Sequence, residues 1–271
     1  LPQSPEVRRP DRFAERAIRG RNRVLAVATR AGVIPEGERL HAAGEAMPTA
    51  RRPFPMLAAH AAEAAVRERP NERVHRLAID AGWQAQLESL ARERTEQLGP
   101  KLSAAIVVVE QATGAVRASV GGAGYFAEER AGAMDLTLAL RSPGSALKPF
   151  IYAMAFEEGV AHPQTVLEDR PHRYGLYAPE NFDQTFQGTI TARKALQMSL
   201  NVPAVDLLNA VGPQRFVSRM RSAGAGLALP PEGAPGLAIG LGGVGVTLRD
   251  LTRLYAGLAR GGEATPLAYR R

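Results

Sequence analysis

Arg141-Ser142-Pro143-Gly144-Ser145-Ala146-Leu147-Lys148-Pro149-Phe150 is the stretch on which the fold turns. From Leu147 onward, Phe150, Ile151, Met154 and Ala155 recur on one helical face, and Gly159 closes the run. Pro149 suits the first turn, where amides have no intrahelical acceptor; deep inside a helix it would cost about 3 kcal/mol. The helix therefore starts close to Ser145, and Ser145 and Lys148, three residues apart, share one of its faces within mutual reach. A serine hydroxyl becomes a competent nucleophile when a base takes its proton. Lysine serves as that base when burial or nearby positive charge brings its pKa toward neutrality. The free amides and dipole of the helix N-terminus can hold a developing oxyanion. The spacing alone equally admits a serine N-cap followed by a solvated lysine.

Working outward, 104–109 is a short β-branched run, Thr113 and Gly114 supply a turn, and 116–120 returns, which predicts a β-hairpin. Continuous apolarity in the first arm predicts a strand buried on both faces. Before it, an amphipathic helix spans 80–99, with Asp80 as its cap and Trp83, Leu87 and Leu90 in period. Gly44, Pro48, Pro53 and Pro55 give linker composition and place a domain boundary. Phe13, Ala17, Val24, Leu25 and Ala28 mark a flanking helix over 11–30 that stops at Gly32. Downstream, a helix over 191–198 runs into Ser199-Leu200-Asn201, and Pro203 opens the next, which ends at Gly212. Ser199 and Asn201 thus sit in a tight inter-helix turn, where capping is the commoner role for each. Thr247 and Asp250 form a capping pair ahead of Leu251, Leu254, Tyr255 and Leu258, with Gly261 and Gly262 ending the last helix. No repeat of fixed period is visible, and the mixture of elements is α/β in the α+β sense.

With 271 residues and 45% hydrophobic composition, the chain can bury a full core. Its lack of cysteine removes disulfides, thiol catalysis and thiolate metal sites. His41, His60, His75, His162 and His172 show no paired ligand spacing, so no metal and no cofactor is expected. Much of the net charge of +7 comes from residues 1–30, where eight arginines face Glu6, Asp11 and Glu15. A solvated helix face accounts for this, and no interleaved aromatics point to nucleic acid. No apolar run reaches the roughly 20 residues of a membrane helix, and no signal peptide is present. Since the chain opens on Leu1, it reads as an internal piece, with any anchor lying outside it. Gly240, Gly242 and Gly245 fit G-x-G-x-x-G, a dinucleotide-binding fingerprint, but only 26 residues follow Gly245, too few for the rest of such a half-domain. G-x-S-x-G around Ser145 fails at Pro143 and Leu147.

Ser-x-x-Lys at a helix start, followed about fifty residues later by Ser-x-Asn in a turn, is a recognised pairing of catalytic elements. The stretch 141–150, then Pro179-Glu180-Asn181-Phe182-Asp183, then Ser199-Leu200-Asn201-Val202-Pro203-Ala204-Val205, resembles class A bifunctional penicillin-binding proteins, the 1C type above all. The likeness continues through Leu241-Gly242-Gly243 and 246–252, and back through Ala78-Ile79-Asp80. Leu1-Pro2-Gln3-Ser4-Pro5 and Arg9-Pro10-Asp11-Arg12 look like the end of that family's glycosyltransferase domain.

The resemblance implies the penicillin-binding/β-lactamase-like serine transpeptidase fold, incomplete at its C-terminus. The implied domains are a glycosyltransferase remnant at 1–41, a linker at 42–74 and a transpeptidase domain at 75–271. It further implies a serine acyltransferase of peptidoglycan synthesis at the periplasmic face of the bacterial inner membrane, held by an N-terminal anchor outside the chain. Stem peptides and a lipid-linked precursor would be its substrates, and β-lactams would acylate it. By position, Ser145 would attack the D-alanyl-D-alanine carbonyl, Lys148 would take its proton, Ser199 would relay a proton to the leaving amine, and Asn201 would hold the substrate amide and help fix Lys148. No lysine occurs after Lys194, so the family's Lys-Thr-Gly element, which binds the substrate carboxylate and supplies one oxyanion amide, is not in the chain. Without that strand the hairpin should expose a hydrophobic edge and the piece should be inactive alone. The glycosyltransferase's catalytic glutamates are missing too. The alternatives are a truncated, non-catalytic interaction module and, less favoured, a dinucleotide-binding domain.

Overall fold

A computed structural model of the chain describes residues 5–48, 56–230 and 235–271. Pro53 and Pro55 of the expected linker, and Leu1, Pro2, Gln3 and Ser4 of the expected glycosyltransferase tail, lie outside these. The chain divides into two units, Leu1–Met56 and Leu57–Arg271. In the first, helices α1 (Ala14–Arg30) and α2 (Glu36–Gly44) pack on each other, and Arg21 ties them by donating to the carbonyls of Ala43 and Glu45. Gly32, at φ +70°, ends α1 as its sequence position predicts.

The second unit starts inside the span read as linker. Helix α3 (Ala59–Glu68) buries His60, Ala61 and Ala65, and His60 Nε2 bonds the Gly132 carbonyl at 2.8 Å. Segment 57–68 is therefore part of a packed domain, because three small or ring side chains at helical spacing give it an inner face. Helix α4 (Ala81–Leu98) is capped by Asp80, whose carboxylate accepts from Trp83 N at 2.9 Å.

Strands β1 (Ile106–Val109) and β2 (Val116–Val120) form the expected antiparallel hairpin. The expectation that the first arm is buried on both faces is corrected. All four β1 residues are half-buried, and among the described residues no strand pairs with its outer edge, whereas β2 is almost wholly buried. The edge of β2 is covered from three directions. Val116 N donates to Ala268 O at 2.9 Å, Asp80 N donates to Arg117 O at 2.8 Å, and the Gln84 side chain takes the place of a strand at Ser119. Its Oε1 accepts from Ser119 N at 2.8 Å and its Nε2 donates to Ser119 O at 3.0 Å, with Gln84 fully buried. A single amide thus satisfies both polar groups of a buried strand residue.

Helix α5 (Lys148–Glu157) is the hub of the main core. Its Ile151, Tyr152 and Ala155 are fully buried in a core that also takes residues of α7 (Asn201–Val211), α8 (Pro213–Ser222) and α9 (Leu248–Ala259). Between α5 and α7 lie a second hairpin, β3 (Val166–Asp169) with β4 (Gly188–Thr191), and the short helix α6 (Ala192–Gln197). Thr191 caps α6, and Thr247 caps α9 by accepting from Asp250 N at 3.0 Å.

Candidate active site

Ser145 sits in a single 3-10 turn, Gly144–Leu147, that runs directly into α5. Two braces hold this turn. Ser142 Oγ donates to Gly242 O at 2.7 Å, and Arg141 and Val246 exchange backbone hydrogen bonds of 3.0 and 2.9 Å. Gly242 has φ +95°, and a Cβ there would lie 2.4 Å from Ser142 Oγ and 2.6 Å from Gly144 N. Only glycine fits so close to the serine turn. This accounts for the glycine run around 240–245, which follows the 3-10 segment Leu237–Leu241 and not a strand, so the dinucleotide reading lacks its strand–turn–helix setting.

Lys148 is 1% exposed. Its Nζ donates to Ser199 O at 2.5 Å and to Asn201 Oδ1 at 2.5 Å, with Ser199 Oγ at 3.3 Å. Burial lowers its pKa from 10.5 to about 8. The alternative of a solvated lysine is thereby corrected, and Ser145 is no N-cap either, since the residue preceding α5 is Leu147 with no side-chain cap. Ser145 itself is exposed, and among the described residues its hydroxyl makes no hydrogen bond.

The Ser199-Leu200-Asn201 turn reaches Lys148 because of how α6 ends. Leu200 N bonds Ala195 O, Ser199 N bonds Leu196 O, and Ser199 takes φ +54°. This is the left-handed termination that glycine normally occupies, and for serine it costs of order 1–2 kcal/mol. Neither Ser199 nor Asn201 caps a helix with its side chain; the preceding residue of α7 is Leu200, and the Asn201 amide is committed to Lys148 and to Glu180 O, the latter at 2.6 Å. The structure thus brings Lys148, Ser199 and Asn201 together, with Ser145 one turn before the lysine.

Two further residues reach the cluster. Asn201 N donates to Asn181 Oδ1 at 2.7 Å, and Asn181 Nδ2 donates to both carboxylate oxygens of Asp169 at 2.9 and 3.0 Å. Asn181 lay within a stretch already singled out at 179–183, whereas Asp169 carries no sequence signal. Among the described residues no three His, Asp or Glu side chains converge as a metal site, and no helix is long and apolar enough to cross a membrane.

Comparison with known proteins identifies the family of the chain. The profile of the penicillin binding protein transpeptidase domain matches residues 104–270. Penicillin-binding protein 1C of Escherichia coli (strain K12) is 40% identical over 98% of this chain, which spans 34% of that protein. Penicillin-binding protein 1F of Bacillus subtilis (strain 168) is 33% identical over 59% of the chain and 21% of its own length. The chain thus spans about a third of the first of these curated relatives and about a fifth of the second. Among solved structures, penicillin-binding protein 1A from Haemophilus influenzae superposes with a TM-score of 0.69 at 18% identity, covering 99% of this chain and 56% of that one. PonA1 from Mycobacterium tuberculosis in complex with penicillin V superposes with a TM-score of 0.62 at 25% identity, covering 73% of this chain and 54% of that one.

Proposed function

The chain belongs to the penicillin-binding protein transpeptidase family, and on that premise we propose that it supplies the acylating half of a D,D-transpeptidase that cross-links peptidoglycan. The observation that carries this reading is the buried Lys148 amine held by Ser199 and Asn201 one turn after Ser145. A neutral amine has two N–H groups, which match the two short acceptors Ser199 O and Asn201 Oδ1. Its lone pair is then left for the hydroxyl side of the site. Ser145 Oγ attacks the carbonyl carbon of the penultimate D-alanine while its proton passes to Lys148 Nζ. The tetrahedral oxyanion forms beside the backbone amide of Ser145 at the start of the 3-10 turn, since Lys148 N already donates to Ser145 O and Pro149 has no N–H. Its collapse breaks the amide bond, and the departing D-alanine amine takes a proton through Ser199 Oγ from the lysine. Asn201 holds Lys148 through Oδ1, and the Nδ2 hydrogen not given to Glu180 O is left for the substrate's backbone. An acceptor amine from a neighbouring stem peptide then attacks the Ser145 ester and regenerates the hydroxyl. A β-lactam enters by the same first step and stops at the ester.

The family's Lys-Thr-Gly element, which would hold the terminal carboxylate, is not contributed by this chain, which has no lysine after Lys194. The open outer edge of β1 is in keeping with a sheet that needs further strands. Residues 1–41 are assigned to the tail of a glycosyltransferase domain acting on a lipid-linked precursor, and work outside the cytoplasmic membrane, on its periplasmic face, follows from the substrate. The test is labelling of the full-length protein with a fluorescent penicillin, followed by peptide mapping. Label on the peptide containing Ser145, lost in Ser145→Ala, is expected. Label on another peptide, or none in a folded protein, would leave the non-catalytic interaction module as the better reading.

A further inference from the structure

Lys148 Nζ makes its one short side-chain contact with Asn201 Oδ1, at 2.5 Å, beside the Ser199 carbonyl at 2.5 Å and the Ser199 hydroxyl at 3.3 Å, so whatever fixes Asn201 helps to fix the base. Asn201 is gripped at two points by the 180–181 segment. Its Nδ2 donates to Glu180 O at 2.6 Å, and its backbone N donates to Asn181 Oδ1 at 2.7 Å. The first grip decides which way the Asn201 amide faces. Were it flipped, an NH2 would meet the lysine's own N–H groups and a carbonyl oxygen would meet Glu180 O, two repulsive contacts.

The second grip is decided in turn by Asp169. Asn181 Nδ2 faces an acceptor on each side, the Asp169 carboxylate and Thr185 O at 2.9 Å, so Oδ1 must be the atom presented to α7. Asp169 is fully buried and Asn181 is 5% exposed. The carboxylate is satisfied by donors alone, Asn181 Nδ2 and Gln187 N at 2.8 Å. It lies at the end of β3, paired across the hairpin with Gly188. Every link from the amine to the β3 carboxylate runs donor to acceptor in one sense.

We infer that Asp169 and Asn181 are positioning residues of the active site: the buried carboxylate orients the Asn181 amide, which pins the first residue of α7 and so places Asn201 against Lys148. Neither residue touches substrate. The inference rests on the reading of Lys148 as the base. Burial of a carboxylate is costly unless donors surround it, and a hairpin loop could be anchored by apolar contacts instead. The charge sits here because it sets the polarity of the whole chain of amides. Tyr152 of α5 and Asp206 of α7 also face Asp169, and His172 faces Asp206.

The experiment measures the rate of penicillin acylation from pH 6 to 10 in the full-length protein, as wild type, Asn181→Ala, Asp169→Asn and, as the control for the base, Lys148→Ala. Asn181→Ala should lower the rate at pH 7 by roughly 10- to 100-fold, the range expected when a reacting group loses its support. A lysine released toward water regains its ordinary pKa, so the rising limb should move above its wild-type position and the deficit should narrow beyond pH 9. Asp169→Asn, which keeps the shape but sets an NH2 against a donor, should move the limb the same way by less. It also decides the matter if Asn181→Ala does not fold. Profiles that superpose on wild type after scaling would mean that the two residues only anchor the loop and would overturn the inference. A wild-type profile without a limb, or full labelling of Lys148→Ala, would instead overturn Lys148 as base, so the two failures are distinguishable.

Discussion

Acylation should carry the titration of Lys148, and the size of the effect follows from its burial. The amine is 1% exposed and its pKa falls from 10.5 to about 8. At pH 7 roughly 10% of the lysine is then free base, against roughly 0.03% at the ordinary value, a gain of about 300-fold or about 3 kcal/mol. The acylation rate should climb almost tenfold per pH unit between 6 and 7, reach half its maximum near 8 and level off by about 9. The same shift acts on stability. The folded state binds this proton more weakly than the unfolded chain does, so folding is opposed by about 3 kcal/mol below the folded pKa. That opposition fades as pH rises from about 8 to 10.5. Lys148→Ala should lower acylation by about 10²- to 10⁴-fold. Its melting temperature should change little, because removing the buried charge is offset by leaving Ser199 O and Asn201 Oδ1 without a donor, at about 1–3 kcal/mol each. The assay is the second-order rate constant for fluorescent penicillin, with thermal melts at each pH. A flat profile, a limb near 10.5, or undiminished labelling of Lys148→Ala would refute the reasoning.

Gly242→Ala should reduce acylation and lower stability by about 1–3 kcal/mol, since its Cβ meets Ser142 Oγ and Gly144 N at a left-handed backbone position. Wild-type melting and labelling would show that the brace is dispensable. Gln84→Leu should destabilise the Leu57–Arg271 unit by about 2–4 kcal/mol, because both backbone groups of buried Ser119 lose their partner. Denaturant unfolding that shifts by less than 1 kcal/mol would contradict the strand-like role of that amide.

Much of the fold was legible because it was written locally. Asp80 and Thr247 cap the helices their positions foretell, Gly32 and Gly212 end theirs, and the Thr113-Gly114 turn joins the two strands it separates. Each of these features depends on a few adjacent residues and one type of hydrogen bond. Helices α2, α3 and α8 and the β3–β4 hairpin were not anticipated. Their segments are short, and α3 is built largely of alanine, whose helix propensity says nothing about which neighbour it will meet. The run Ile106–Val109 was read as doubly buried because apolarity records a capacity for burial, while actual burial depends on strands that must come from elsewhere.

The sequence by itself determined that a serine and a lysine three residues apart, at a helix start fixed by Pro149, share a face whatever surrounds them, and these are the two groups proposed to react. It also placed Ser199 and Asn201 in one turn. Only the tertiary structure decided that this turn lies on Lys148, that the lysine is stripped of water, and that Asp169 and Asn181 stand behind it. Those contacts join residues 12 to 53 positions apart. Desolvation, the cause of the shifted pKa, is a property of everything packed around a group and of no stretch of chain alone.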